Sequence, residues 1–420
     1  MPQICLYLQL HQPYRLSDWE VTDLNSGKSY FFDKRQLNKT VFEKVAQKSY
    51  RPMLRLLNKL VKEHPNFCGA LSCSGIFLDQ AVEFAPDIIE DLRHLAKSGR
   101  IEFLSETYYH SLAALYSPSE FRIQVRLHQA KIERLFGVKT TVFRNTELIY
   151  DNRLPNLLKP FNFLGMITEG VDRYLQNRSQ THVFIANSPG TESFPLLLKH
   201  SQLSDDLAFR FSDKKWQWFP LTMDRYWDWL HVYQSSEIIN LFMDFETFGE
   251  HQWADTGIFN FFEKLVVQVS QDKFSCWITP SQVFRDWQQK KQQLIKECRS
   301  RDRLSPQVTG DVYDVPQPIS WADIDRDLTA WTGNDLQTDT LNKLYSLEKK
   351  VIASQDKKLI DDWRRLQTSD HFYYMCTKWS ADGDVHAYFS PYGSPFEAYR
   401  RYAIILADLQ DRVRSATIKS

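Results

Sequence analysis

Ile238-Ile239-Asn240-Leu241-Phe242-Met243-Asp244-Phe245-Glu246 is an apolar, strand-like run that closes on two acids. Thr141-Val142-Phe143-Arg144-Asn145-Thr146-Glu147 has the same design, a short apolar run with a carboxylate just past its end. Acids are costly to bury and rarely end an apolar strand without a partner or a task. Similar runs recur along the first two thirds of the chain. They are residues 4–10, 67–73, 101–104, 163–168, 183–187 and 274–278. Between the first two of these, Phe42, Val45, Ala46, Met53, Leu56, Leu57, Leu60 and Val61 repeat at helical spacing. Ser117-Pro118-Ser119-Glu120 predicts a capping box opening a helix that stops at Gly137, and Thr279-Pro280-Ser281-Gln282 repeats the start signal.

Alternating strands and helices imply parallel strands with helices packed outside. Their even distribution, with long insertions after some strands, fits a closed or nearly closed β/α barrel better than an open doubly wound sheet. In such a barrel, reactive groups sit at the C-terminal ends of the strands. Glu147 and Asp244 both meet that expectation. No GxGxxG or GxxxxGK[ST] follows any strand, so nothing points to a nucleotide loop. Residues 175–199 are read as a loop, a candidate lid. After about residue 285 the character changes: a charged stretch over 290–303, a proline-bearing loop over 305–319, then helical patterns to the end. A second capping box, Ser394-Pro395-Phe396-Glu397, opens the last of them. The chain therefore divides into a barrel over 1–285 and a mainly helical domain over 286–420.

Composition narrows the function. Lys plus Arg and Asp plus Glu both number 52, so no electrostatic case exists for nucleic acid or an anionic membrane. No stretch approaches the length of a membrane span, and the first residues carry no basic leader. Six cysteines without a CxxC pair suggest reduced thiols and a cytoplasmic protein. Aromatic residues reach 14%, which suggests that some rings serve as stacking platforms for the flat faces of sugars. Two strand-end carboxylates in such a chain point to a paired-carboxylate enzyme acting on sugar.

Other polar residues sit near strand ends. His11-Gln12-Pro13 follows the first strand, where a structural histidine is the simpler reading. Glu102 interrupts the run Gly99-Arg100-Ile101-Glu102-Phe103, so it is either buried against a cation or points into the barrel mouth. Tyr108, Tyr109 and His110 follow that strand and either build sugar subsites or pack under the loop. Asp370 and His371 form a polar spot in an aromatic helix, in core capping or substrate contact. The histidines show no HxxxH or HExxH grouping, which argues against a metal-dependent esterase and predicts no catalytic metal or cofactor.

Taken in order, His11 to Pro13, Gly99 to Phe103, Phe143 to Glu147, Met243 to Glu250 and Leu328 to Gln337 resemble the five sequence regions of glycoside hydrolase family 57. Phe143 to Tyr150 and Met243 to Trp253 look most like its α-amylase group, and the likeness extends to Ile319-Ser320-Trp321-Ala322-Asp323 and Thr368 to Met375. The resemblance implies a distorted (β/α)7 barrel followed by a C-terminal α-helical domain. It implies a retaining enzyme cleaving α-1,4-glucosidic bonds in an α-glucan or maltooligosaccharide, with Glu147 as nucleophile and Asp244 as general acid/base. Both acids are present, whereas some amylase-like relatives have one or both replaced. His11 and Glu102 would bond sugar hydroxyls, and Trp331 would bring an aromatic platform. His251 and Trp253 would line the mouth, and Glu246 would contact substrate or raise the proton affinity of Asp244. Two other activities fit the same regions: glycosyl transfer by a glucanotransferase or branching enzyme, and glucan binding without catalysis.

Overall fold

The computed structural model describes residues 2–32, 34–190, 193–300, 310–378 and 390–419. Ten strands occur among them: β1 Gln3–Leu10, β2 Gly69–Cys73, β3 Ile101–Phe103, β4 Val142–Arg144, β5 Gly165–Thr168, β6 Phe184–Ala186, β7 Pro195–Leu198, β8 Ile238–Asp244, β9 Cys276–Trp277 and β10 Val312–Tyr313. They form two ladders, one running β3-β2-β1-β8 and the other β10-β6-β7-β5-β4. Every pairing along β3-β2-β1-β8 and β4-β5-β7 is parallel.

A few bonds join the ladders at each seam. At one, a bridge pairs Ser105 with Phe143, Ser105 N–H donating to Val142 O at 2.9 Å. At the other, the Asn240 side chain donates to Leu198 O at 2.8 Å, and His200 N–H donates to Asn240 O at 2.9 Å. Seven parallel staves thus follow one another around a ring, β8-β1-β2-β3-β4-β5-β7, with no continuous ladder at the two seams.

The interior of the ring is solid. Cys5, Tyr7, Ala70, Leu104, Val142, Ile167, Leu197 and Phe242 form one buried cluster to which each stave or its end contributes. Alternation along a strand sends the neighbours of these residues outward. Ile4, Leu6, Leu8 and Leu10 accordingly pack on the helices outside, among them Met53, Leu54, Leu57 and Leu60 of the helix Arg51–Glu63. The helix Pro280–Ser300 plugs the barrel from below, where Phe284 lies so close to Gly165 that a Cβ there would meet its ring at 2.7 Å. This helix passes unbroken through position 285, where composition suggested a domain change, and it includes the start of the charged stretch read as solvated. The rest of that stretch, 301–303, and positions 305–309 of the expected loop lie outside the described residues.

The helices Thr329–Thr332, Asp335–Ser346, Glu348–Ala353, Lys357–Arg365, Ser369–Tyr373 and Pro395–Lys419 follow. One core joins them to the barrel: Trp331, Trp363, Phe372 and Tyr402 share a cluster with Phe143, Met166 and Leu196. Ser117 caps the helix Pro118–Phe136 by accepting from Glu120 N–H at 3.1 Å. The Glu120 carboxylate does not complete the expected capping box; it is buried and accepts from Arg364 at 2.8 Å, tying that helix to the C-terminal ones.

Two strand readings change. The apolar run at 183–187 forms β6, which is antiparallel to β7 and stands outside the ring. The seventh stave is β7, inside the segment read as a lid. Its four residues are too few to show a period, and Pro195 opens it, a position where a missing N–H costs no ladder bond.

Candidate active site

The rim at the C-terminal ends of the staves collects polar side chains, most of them titratable. His11 follows β1, Ser74 β2, Glu106 and His110 β3, Glu147 β4, Glu169 β5, Lys199 β7, and Asp244 closes β8. Parallel strands carry all their ends to one face, so residues distant in sequence become neighbours.

His110 is the hub of this face. Its Nδ1 lies 3.0 Å from Glu106 Oε2 and its Nε2 3.2 Å from Glu147 Oε1. Burial opposes its charge, but the two carboxylates outweigh burial and push its pKa up to about 9. His110 is therefore an imidazolium donating from both nitrogens. Glu106, wholly buried, is held at about 2: burial works against its charge, and His110 and Arg144 overcome it.

Glu147 receives two further hydrogen bonds. Ser369 Oγ donates to Oε1 at 2.9 Å and Trp321 Nε1 to Oε2 at 2.8 Å. Burial raises the proton affinity of Glu147, yet His110 and Arg144 bring it below the usual carboxylate value. Its backbone is left-handed, φ 57°, and is fixed by Trp321 N–H donating to Glu147 O at 3.1 Å. A non-glycine residue in that conformation costs about 1–3 kcal/mol and persists only where its surroundings impose it. Arg144, fully buried, stands 5.1 Å from the centre of the Trp321 ring and 3.9 Å from Glu106.

Asp244 is arranged oppositely. Its carboxyl accepts no hydrogen bond among the described residues, and it is half-buried at the end of β8. Burial first, then the charge on Glu147, raise its pKa to about 6, while Arg144, His110 and Lys199 pull against them. Glu246 goes further, to about 8, through burial and then the charge on Asp244; Tyr50 Oη donates to it at 2.7 Å. Glu147 and Asp244, close enough to feel each other's charge, thus have divergent proton affinities, the pattern that separates an anion from an acid at one pH.

His11 lies beside this pair. Its ring stacks on His110 at a centroid distance of 3.8 Å, and burial, then the neighbouring cation, lower its pKa. Neutral His11 donates Nε2–H to Asp370 at 2.9 Å and accepts from Ser74 Oγ at 2.7 Å, the tautomer being assigned by those partners. Behind Trp321, Lys199 and Arg326 pair with Asp205 at 2.7 and 2.6 Å and lie near Glu169, a buried network that holds the far wall.

Glu147, Asp244, His11, His110, Glu246 and Asp370 therefore gather in one place. Others do not. Glu102 faces the lower half of the barrel, where its carboxylate accepts from Ser281 N–H at 2.9 Å at the start of the plugging helix; it is a cap, remote from the rim. Trp331 is 1% exposed and packs on Tyr373 in the core, so it presents no platform. Tyr109 turns its hydroxyl to Asp361 at 3.0 Å, away from the carboxylates. His251 is bound through its backbone to Glu246 O at 2.9 Å, and burial pushes its pKa down to about 4. Trp253 is 55% exposed, with Lys48 over its ring at 5.4 Å.

Reading by strand ends overlooked Glu106, Trp321 and Ser369 as functional residues. Glu106 had a signal, an acid directly after an apolar strand. Trp321 and Ser369 had only their place in the stretches 319–323 and 368–375 that resemble the family, since nothing but the fold brings them to Glu147.

A family model described as Glycosyl hydrolase family 57 matches residues 5–296. A Methanocaldococcus jannaschii protein, provisionally named an alpha-amylase, is 35% identical over 99% of this chain and 86% of its own length. Among solved structures, the 4-alpha-glucanotransferase from Thermococcus litoralis superposes with a TM-score of 0.66 at 14% identity over 98% of this chain, which spans 60% of that enzyme. The GH57-type branching enzyme from Pyrococcus horikoshii gives 0.63 at 14% identity, covering 97% of this chain and 96% of its own. At those identities the two structures speak for the fold.

Proposed function

The chain belongs to glycosyl hydrolase family 57, and on that premise we propose that it cleaves α-1,4-glucosidic bonds of α-glucans by a retaining, α-amylase-type mechanism, with Glu147 as nucleophile and Asp244 as general acid/base. One observation carries the reading: His110 and Trp321 hold Glu147 as an anion, while burial and that anion leave Asp244 able to keep a proton up to about pH 6.

Retaining hydrolysis needs this division of labour. Asp244 donates its proton to the glycosidic oxygen as that oxygen leaves the anomeric carbon. A Glu147 oxygen bonds to the same carbon, giving a glycosyl ester. Asp244, now an anion, takes a proton from water; the hydroxide formed displaces Glu147 and Asp244 is reprotonated. His11 and Asp370, beside the pair, bond hydroxyls of the sugar in the oxocarbenium-like transition state. Glu246 extends the substrate path past Asp244.

The helical region after the barrel supplies Trp321, Ser369 and Asp370, so we read it as the second wall of the cleft. Among the described residues five cysteines are free thiols, which supports a cytoplasmic location. No helix among the described residues is long and apolar enough to cross a membrane.

Trapping with a 5-fluoroglucosyl fluoride, followed by peptide mapping, tests the assignment. Label on Glu147 is the expected result; label on another residue refutes it. Products longer than a maltooligosaccharide substrate would assign transfer to a sugar hydroxyl in place of hydrolysis. Equal activity of the unaltered protein and Glu147→Gln would leave only glucan binding.

A further inference from the structure

A cavity of about 480 Å³ opens between the helices Pro118–Phe136 and Lys357–Arg365, and it contains neither Glu147 nor Asp244. Tyr108 and Tyr109 line it, their rings 4.9 Å apart and tilted by 49°. Two of its cations are neutralised locally, Lys131 by Asp79 at 2.5 Å and Arg364 by Glu120 at 2.8 Å, and its carboxylate Asp361 is paired with Arg365 at 2.7 Å. The other two, Arg134 and Lys357, are exposed, one on each helix, and form no ion pair among the described residues. The volume lies in the range that holds a small metabolite, roughly 300–1,000 Å³.

We propose that this cavity binds a phosphorylated monosaccharide, its ring against the half-buried Tyr108, which is backed by the buried Tyr109, and its phosphate between Arg134 and Lys357. A phosphate monoester carries roughly −1.5 to −2 charge at neutral pH, which matches two uncompensated cations. Arg takes phosphate in fork geometry and Lys as a point charge. An uncharged sugar would leave both cations unanswered, and free phosphate would leave the Tyr108 ring uncovered.

Both walls run directly into the catalytic cluster. Tyr109 precedes His110, which holds Glu147 at 3.2 Å. The helix Lys357–Arg365 leads to Thr368, whose hydroxyl donates to Tyr109 O at 2.9 Å, and to Ser369, whose N–H donates to His110 O at 2.9 Å. Ser369 also bonds Glu147 at 2.9 Å. A ligand seated between the walls alters how His110 and Ser369 meet Glu147, so occupancy changes turnover. That consequence rests on the function proposed above; the binding does not.

Calorimetric titration of the full chain with glucose 6-phosphate, glucose and orthophosphate tests the site. Glucose 6-phosphate is expected to bind saturably and at least tenfold tighter than either fragment. Arg134→Ala/Lys357→Ala should weaken it at least tenfold, and Glu147→Gln should keep saturable binding within tenfold of the unaltered protein, the coupling being reciprocal. Absence of saturable binding, equal affinity for orthophosphate, survival in the double variant or loss in Glu147→Gln each overturns the site. In a maltooligosaccharide assay, glucose 6-phosphate should change turnover at least threefold in the unaltered enzyme and not in the double variant. Binding without that change refutes the coupling alone, whereas no basal turnover counts against the function and leaves the binding result standing.

Discussion

His110 Nε2 stands 3.2 Å from Glu147 Oε1, and the other nitrogen of the same ring is spent on Glu106. One imidazolium thus neutralises two carboxylates, and the third, Asp244, is the one left without a hydrogen-bond donor among the described residues. That asymmetry separates the roles of the two acids more firmly than their positions in the sequence.

Replacing His110 with Gln removes the cation and keeps the size of the side chain. We expect kcat to fall about a hundredfold, in the range of a lost electrostatic contact at a reacting group. The sign for pH follows from the depressed affinity of Glu147: its anion is present above its pKa and is lost as pH falls through it. Without His110 that pKa rises, so the acid limb of kcat/KM moves to higher pH. An acid limb that stays in place would remove His110 from the mechanism.

Asp244 has a raised affinity, so its proton is present below about pH 6 and lost as pH rises through that value. Glycosidic cleavage should therefore decline on the alkaline side with a midpoint near 6. Asp244→Asn should lose about a thousandfold or more on maltooligosaccharides and far less on a glucosyl fluoride, whose leaving group needs little protonation. Equal losses on both substrates would deny Asp244 the role of acid.

Trp321→Phe keeps an aromatic ring beside Arg144 and deletes the N–H that reaches Glu147 at 2.8 Å. A hydrogen bond to a charged group contributes about 1.5–3 kcal/mol, so kcat/KM should drop about tenfold or more. Steady-state kinetics indistinguishable from the unaltered enzyme would reduce Trp321 to a packing residue.

Gly249→Ala tests the turn that follows Asp244. The glycine has φ +107°, and an added Cβ would meet Lys48 O at 1.9 Å. Neither backbone can yield cheaply, so the loss of stability should exceed about 2 kcal/mol by denaturant titration. A loss within about 0.5 kcal/mol, the scale of a surface change, would show that the turn is pliable.

The sequence by itself determined the alternation of staves and helices and the place of two acids at strand ends, because burial periodicity and a carboxylate after an apolar run are both local signals. Glu147 and Asp244 were legible as strand-end acids for that reason and His11 by the order of the regions, whereas His110 was read only as a residue after the third strand, in a subsite or packed under a loop. What only the tertiary structure decided is height and company. Glu102 sits in a strand as plainly as the rim residues follow theirs, yet it caps the plugging helix below, because its level in the barrel depends on how far each stave slides against its neighbours. Trp331 has the composition of a platform and is buried, while Trp321, ten residues earlier, takes the place beside Glu147. Contacts across 222 and 174 residues, Ser369 and Trp321 on one carboxylate, arise from packing a helical layer on a barrel and leave no periodic trace in the chain.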